Sequence, residues 1–252
     1  DLLCRYIDIS RSARAKYLPP KGKGGAGYID LFCATGRARI KNTNEWIDGS
    51  AVAAWKASVS GGAPFSKVIV GDADQRCVDA MTARLKALGA PVVPLVGPAR
   101  DTAFLALQRA PSAYGLNFAF LDPYNLESLD FEIFRQLSRM KRVDILVHVS
   151  SMDLTRNLDK HLTDSDSSFD AFAPGWRGAL NIEKSAGRTR EDLLEYWREL
   201  VAQTGALTSK DVKMIKGSRH QKLYWLLLAA GHELAHKFWK VVAQGNAPEF
   251  DL

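Results

Sequence analysis

The 252-residue chain predicts an α/β fold: a doubly wound, mostly parallel sheet of seven strands that ends in an antiparallel hairpin. Three observations point there. Short, continuously apolar runs recur, as in strands buried on both faces. Stretches of helical period alternate with them as far as residue 140. The last two apolar runs are joined by too few residues for a crossover, so they must pair antiparallel.

The elements follow in order. Residues 1–27 read as an N-terminal extension ending in a glycine-rich loop. Strands are expected at 28–33, 67–70, 91–96, 117–121 and 144–149, with helices between them at 49–58, 75–88, 101–109 and 129–140. Gly89 stands where a helix C-cap glycine belongs. Right-handed crossovers then wind helices onto both faces. Residues 28–150 form one half of the domain. Residues 151–188 are polar, with a run of Asp and Ser at 163–170; they read as an insertion or lid over the strand ends, or as a long surface loop. Residues 189–252 complete the domain. Thr189-x-x-Asp192 resembles a capping box opening a helix to about residue 204. Two strands follow, at 211–216 and 223–229, joined by a basic link.

Composition narrows the function classes. Apolar residues make up 46% and charged residues 25%, enough for a sizeable core under an ordinary surface. The net charge of +6 permits an anionic partner such as nucleic acid without demanding one, because 28 acidic residues are spread among 34 basic ones. The three cysteines, Cys4, Cys33 and Cys77, form no CxxC pair. That argues against a disulfide framework or a thiolate metal site and fits a reducing cytoplasm. No apolar run approaches the ~20 residues that span a bilayer, so no membrane partner is expected. No secretory leader is read.

Three motifs carry chemistry. The first is Tyr28-Ile-Asp-Leu-Phe-Cys-Ala-Thr-Gly36-Arg, a strand with an acidic residue and a small-residue turn. Glycine lets backbone approach a ligand closely. A cofactor ending in an amino acid fits: Asp30 would meet its ammonium directly or through water. Phe32, Ala34 and Gly36 would line its carboxylate side. The second is Val68-Ile-Val-Gly-Asp72-Ala-Asp74. A carboxylate just after the second strand is placed to accept from two ribose hydroxyls. Asp72 is the choice for that role, with Asp74 as the alternative or as the cap of the next helix. The third is Phe118-Ala-Phe-Leu-Asp122-Pro-Tyr124-Asn125, at the carboxyl edge where open α/β sheets bind ligands. Asp122 would orient an acceptor, Pro123 would hold the turn, and Tyr124 would stack on a planar substrate such as a flipped base.

Taken together, these blocks resemble the three-Cys-motif partner family of methyltransferase-like proteins, as do Asp48-Gly-Ser50 and Leu223-Tyr-Trp-Leu-Leu-Leu with His232 and Lys237-Phe-Trp239. The resemblance spans nearly the whole chain. It implies a Rossmann-like fold, S-adenosylmethionine as cofactor, methyl transfer as the reaction, and a companion iron–sulfur protein bearing three cysteines. It leaves a non-catalytic partner module open as the alternative. The chain departs from the family at two places. The first turn reads Phe32-Cys-Ala-Thr-Gly36 rather than Phe-Ala-Gly-Pro-Gly. After the third strand it reads Gly97-Pro98-Ala99-Arg100, which displaces the adenine-binding carboxylate to Asp101.

Other patterns are weighed against function. His232-Glu233-Leu-Ala-His236 matches a zinc-protease motif, but it follows a strand and lacks a third ligand at the right spacing, leaving only Glu249 downstream. A solvated helix face explains it, and no metal is expected. The glycine-rich loop at 21–27 precedes a strand, whereas a phosphate loop follows one. Arg37, Arg39 and Lys41 suit a phosphate-bearing substrate or a solvated loop. Of the six tryptophans, most are expected in the core, and Trp176 is singled out for substrate stacking.

Overall fold

A computed structural model describes residues 1–40, 43–111, 114–156, 167–180, 186–216 and 222–245. Among the described residues the main sheet has eight strands: β1 (Ala26–Asp30), β4 (Lys67–Asp72), β5 (Val92–Val96), β6 (Leu116–Leu121), β7 (Val143–Ser150), β8 (Leu207–Thr208), β9 (Lys213–Lys216) and β10 (Lys222–Ala230). A separate hairpin pairs β2 (Arg37–Arg39) with β3 (Trp46–Asp48). The order is β5-β4-β1-β6-β7-β10-β8, with β9 also on β10. β5 through β7 pair parallel, and β10 runs antiparallel to β7, β8 and β9.

Strand chemistry explains the parallel core. The central residues of β1, β4 and β6 are buried on both faces, which only continuously apolar runs tolerate. Helices then cover both faces. On one side lie α1 (Leu2–Ile9), α3 (Ser50–Ser60), α4 (Gln75–Ala87) and α11 (Glu233–Gln244). On the other lie α5 (Ala99–Arg109), α6 (Phe131–Leu137), α8 (Ser168–Phe172), α9 (Trp176–Ala179) and α10 (Ala186–Gln203). The short α2 (Arg11–Ala15) follows α1, and α7 (Ser151–Arg156) follows β7.

Several expectations are corrected. Among the described residues the sheet has eight strands rather than seven, because the two-residue β8 precedes β9, the expected sixth, and also pairs with β10. Between β8 and β9 the backbone leaves the ladder, and the Asp211 carbonyl accepts from Trp239 Nε1 at 2.6 Å instead. Two helices, for which no secondary structure was expected, form the N-terminal extension and pack on the domain. Tyr6 and Ile7 of α1 are buried in the core, and Tyr6 stacks on Phe118 at 5.1 Å. The helix expected from Thr189 starts at Ala186, so Thr189 lies inside it, buried, and does not cap it. Gly89 behaves as expected, with φ of 72° just past α4.

The segment after β7 is core rather than surface loop where it is described. Phe169, Phe172 and Trp176 are buried, and Phe172 stacks on Trp197 at 5.4 Å. Trp176 is 1% exposed and donates its Nε1–H to Asp170 at 2.7 Å, so it cannot stack on a substrate. The first half of the expected Asp/Ser run (163–166), residues 217–221 of the basic link, Lys41 and Glu249 lie outside the described residues. Among the described residues, no helix is long and apolar enough to cross a membrane, and Cys4, Cys33 and Cys77 are free thiols.

Candidate active site

The strand order reverses between β1 and β6, and the carboxyl ends of these strands meet at that switch point. Side chains alternate along a strand, so Tyr28 and Asp30 of β1 face the same side as Phe118 and Phe120 of β6. Asp122 continues that row past the end of β6. His148 of β7 and Tyr224 of β10 extend it across two more strands. One sheet edge thus carries Asp30, Asp122, His148 and Tyr224 on one face.

The first turn is tightly specified. Asp30 is fully buried. Its Oδ1 accepts from the Phe32 N–H at 3.1 Å, and its Oδ2 from Ser50 Oγ at 2.5 Å and more weakly from Tyr28 Oη at 3.4 Å. Burial pushes its pKa up to about 7, opposed by the Ser50 and Phe32 hydrogen bonds. Ser50 opens α3, so the Asp48-Gly-Ser50 block ties α3 to β1. Gly49 N–H donates to the Gly36 carbonyl at 2.8 Å, and a Cβ on Gly49 would sit 2.8 Å from Gly36 backbone. Only glycine allows that approach. Gly36 itself has φ of 81°.

Ala34 is the one non-glycine among the described residues with positive φ, at 48°. The left-handed region costs an L-residue roughly 1–2 kcal/mol. Asp72 holds it there: Ala34 N–H donates to Asp72 Oδ2 at 3.0 Å. The other oxygen accepts from Asp74 N–H at 3.0 Å. Phe32 is half-buried, while Ala34 and Thr35 are exposed on the turn. Asp74 caps α4, accepting from Arg76 N–H at 2.8 Å and pairing with the Arg76 guanidinium, so the cap role is the one it fills.

Asp122 and His148 make the contact that sequence reasoning missed. His148 Nδ1 and Asp122 Oδ1 are hydrogen-bonded. The His148 ring lies 3.7 Å, centroid to centroid, from that of Tyr224. Burial, then the Asp122 charge, raises the Tyr224 pKa. The His148 side chain is 17% exposed, so its ring keeps an edge open to solvent. Pro123 is buried and Tyr124 is 97% exposed. Asp101 is exposed in the first turn of α5, past the end of β5. The structure therefore gathers Asp30, Ala34, Gly36 and Asp72 at one turn and Asp122 with His148 at the next, and leaves Asp101 apart from both groups' hydrogen bonds.

Comparison with solved structures matches this architecture. An O-methyltransferase from Bacillus cereus in complex with SAH superposes with a TM-score of 0.52 at 10% identity, covering 90% of this chain and 79% of that one. Protein LPL1258 from Legionella pneumophila superposes with a TM-score of 0.55 at 10% identity, covering 96% and 90%. The fold is Rossmann-like, shared with that O-methyltransferase. No protein-family model and no curated protein matches the sequence.

The remaining motifs resolve structurally. His232 is the N-cap of α11, its Nδ1 accepting from Leu234 N–H at 3.1 Å. His236 Nε2 bonds the Ala230 carbonyl at 3.0 Å, and Glu233 pairs with Lys237 at 2.9 Å. Among the described residues no cluster of His, Cys, Asp and Glu could hold a metal. Arg37 lies over the Trp46 ring at 4.2 Å, and Arg39 bonds the Thr43 carbonyl at 2.7 Å, so both brace the β2–β3 hairpin.

Proposed function

We propose that this chain is an S-adenosylmethionine-dependent methyltransferase in which His148, positioned by Asp122, removes the acceptor's proton. The observation that carries the reading is the His148–Asp122 pair, set beside the β1 turn at the sheet's switch point.

The residues present fit the cofactor. The Ala34–Gly36 turn is held open to ligand by left-handed backbone and the Gly36–Gly49 approach. A carboxylate has about four lone-pair sites. Asp72 uses two on backbone N–H groups, which leaves acceptor capacity for ribose hydroxyls. Asp30 is fully buried and bonded to Ser50, so it braces the turn and acts on a ligand ammonium through its field or through water. When bound, the cofactor supplies an electrophilic methyl group.

The chain's own residues do the rest. Asp122 accepts from Nδ1–H, which leaves Nε2 of His148 with a lone pair. An acceptor hydroxyl or amine placed against Nε2 gives up its proton there as its lone pair becomes nucleophilic. The Tyr224 ring packs against the imidazole at a tilt of 40° and limits its rotation. The exposed Tyr124 ring and the net charge of +6 support a planar, anionic acceptor of the nucleic-acid class. The sequence resemblance to the three-Cys-motif partner family adds a three-cysteine companion protein to the proposal.

Calorimetric titration with S-adenosylmethionine and S-adenosylhomocysteine, against NAD and ATP, tests the cofactor. Micromolar binding of the first pair is expected. Turnover is then screened on RNA and DNA and on small phenols. Absence of cofactor binding would overturn the enzyme reading in favour of a non-catalytic partner module.

A further inference from the structure

Acidic residues are missing from every segment that leads into a parallel strand. None occurs between Asp8 and Asp30, Asp48 and Asp72, Asp79 and Asp101, Asp101 and Asp122, or Glu132 and Asp144. The strand exits carry Asp30, Asp72, Asp122 and Asp153 instead. The two edges of the sheet thus differ in charge. The amino edge, remote from Asp122 and His148, is the basic one, and it plays no part in the methyl-transfer reading.

Three adjoining depressions run along that edge. The first is lined by Lys16, Tyr17, Lys23 and Tyr114. The second shares Tyr17 with it and adds Lys141 and Arg142. The third shares Ser138 and Thr204 with the second and adds Arg139. Together they make one groove from the start of β1, past the starts of β6 and β7, to the end of α6. Lys16, Lys23, Lys141 and Arg139 are exposed, and among the described residues none of them is in an ion pair. Asp144 is the only carboxylate in the three linings, and it is engaged by Tyr6 Oη at 2.9 Å. Arg142 lies over the Tyr17 ring, 5.7 Å from its centroid, and Tyr114 is 75% exposed. A Cβ on Gly24 would sit 2.0 Å from the Tyr114 carbonyl oxygen, and one on Gly22 2.2 Å from that of Lys16. The glycine-rich loop therefore lies flat against both segments, as only glycine permits, and sets Lys23 in the same recess as Tyr114.

We propose that this groove binds single-stranded nucleic acid. Phosphates meet Lys16, Lys23, Lys141 and Arg139 along its length, and a base stacks on Tyr114. A basic groove that tracks the backbone, with aromatic rings for the bases, is the general means of holding a single strand. A bilayer presents a broad plane, which would reach the protruding lysines but not Arg142, half-buried on Tyr17. An acidic peptide supplies charge without a planar group at each repeat. The inference does not rest on methyl transfer, because a strand can be held here whatever the carboxyl edge does.

Fluorescence anisotropy with labelled, mixed-sequence RNA and DNA strands of roughly 12 nucleotides, within the usual site sizes, tests it on the intact protein. No cofactor is present, so failure of the enzyme reading leaves this outcome untouched. Micromolar binding is expected. With four phosphate contacts, affinity should fall roughly 50-fold between about 50 and about 200 mM salt. Lys16→Glu, Lys23→Glu and Lys141→Glu combined should weaken binding by about tenfold or more, with an unchanged circular dichroism spectrum. The milder set Lys16→Gln, Lys23→Gln and Lys141→Gln should weaken it in the same direction. Tyr114→Ala should weaken strand binding by about fivefold or more and leave heparin, a polyanion without bases, unaffected. Phosphatidylserine vesicles and polyglutamate, standing for a membrane and an acidic protein, should bind more weakly than the strand. The proposal falls if neither strand binds, if both lysine sets bind as wild type does, if Tyr114→Ala leaves strand affinity unchanged, or if vesicles or polyglutamate are held as tightly as the strand.

Discussion

His148 on β7 and Asp122 just past β6 form a hydrogen-bonded pair, Nδ1 to Oδ1, at the carboxyl edge of the sheet. The pair converts an Asp-Pro turn into an orienter for a base. His148→Asn and Asp122→Ala should each cut turnover by roughly 10²–10⁴-fold, the usual worth of a general base. Cofactor affinity should stay within a factor of two. Single-turnover rates beside equilibrium titrations check this; retained turnover in either variant would remove the pair from the site.

Asp72 spans two turns, bonding Ala34 N–H and Asp74 N–H. Asp72→Ala should weaken S-adenosylhomocysteine binding by roughly 1.5–3 kcal/mol, the worth of hydrogen bonds to a charged group. Asp74→Ala should cost only helix-cap stability, with affinity unchanged. Calorimetry on both variants separates the two carboxylates.

Ser50 donates to the buried Asp30 at 2.5 Å. Ser50→Ala removes a bond that favours the ionised form. Asp30, already raised to about 7, should move further up. The variant should lose roughly 1–3 kcal/mol of stability. The loss should be larger at pH 8, where Asp30 is ionised, than at pH 5, where it is protonated. Urea denaturation at the two pH values measures the difference.

Burial raises the Asp144 pKa to about 6, against the opposing bond from Tyr6. A carboxyl raised on folding stabilises the protein below its unfolded pKa near 4. That contribution disappears as pH climbs through the folded value of about 6. Asp144→Asn should remove this slope, so wild type should lose up to about 3 kcal/mol relative to the variant between pH 4 and pH 7. Parallel stability curves for the two proteins would refute the assignment.

Trp197 is fully buried between Phe134 and Phe172, and among the described residues its Nε1–H has no partner. Trp197→Phe should therefore cost little, under about 1.5 kcal/mol, because a smaller ring fills much of the space and an unpaired donor is lost. Trp197→Ala should cost about 3–5 kcal/mol. Thermal and chemical denaturation distinguish them.

The legible parts of this molecule are the local ones. The strands at 67–70 and 117–121 announce themselves because their inner positions are buried on both faces and are nearly all apolar. Asp122 is legible because an acidic residue and a proline end an apolar run. His148 is not: a single histidine in a strand looks like an interruption, and its meaning depends on the register of β7 against β6 and β10. Ser50 is visible only as part of a loosely matched block until α3 is seen against β1. The N-terminal helix also escaped, because a short amphipathic stretch ahead of a glycine-rich loop carries no local sign of what it packs against.

Sequence alone determined the main strands and the helices between them, the parallel core, the closing antiparallel pair and the residues at the two leading turns. These follow from side-chain periods of two and 3.6 residues and from which residues tolerate a tight turn. Tertiary structure decided the His148–Asp122 pair, the Ser50–Asp30 bond and the Tyr6–Asp144 bond, whose partners stand 26, 20 and 138 residues apart. Such contacts depend on strand register and on crossover geometry, which are properties of the packed sheet rather than of any stretch of chain.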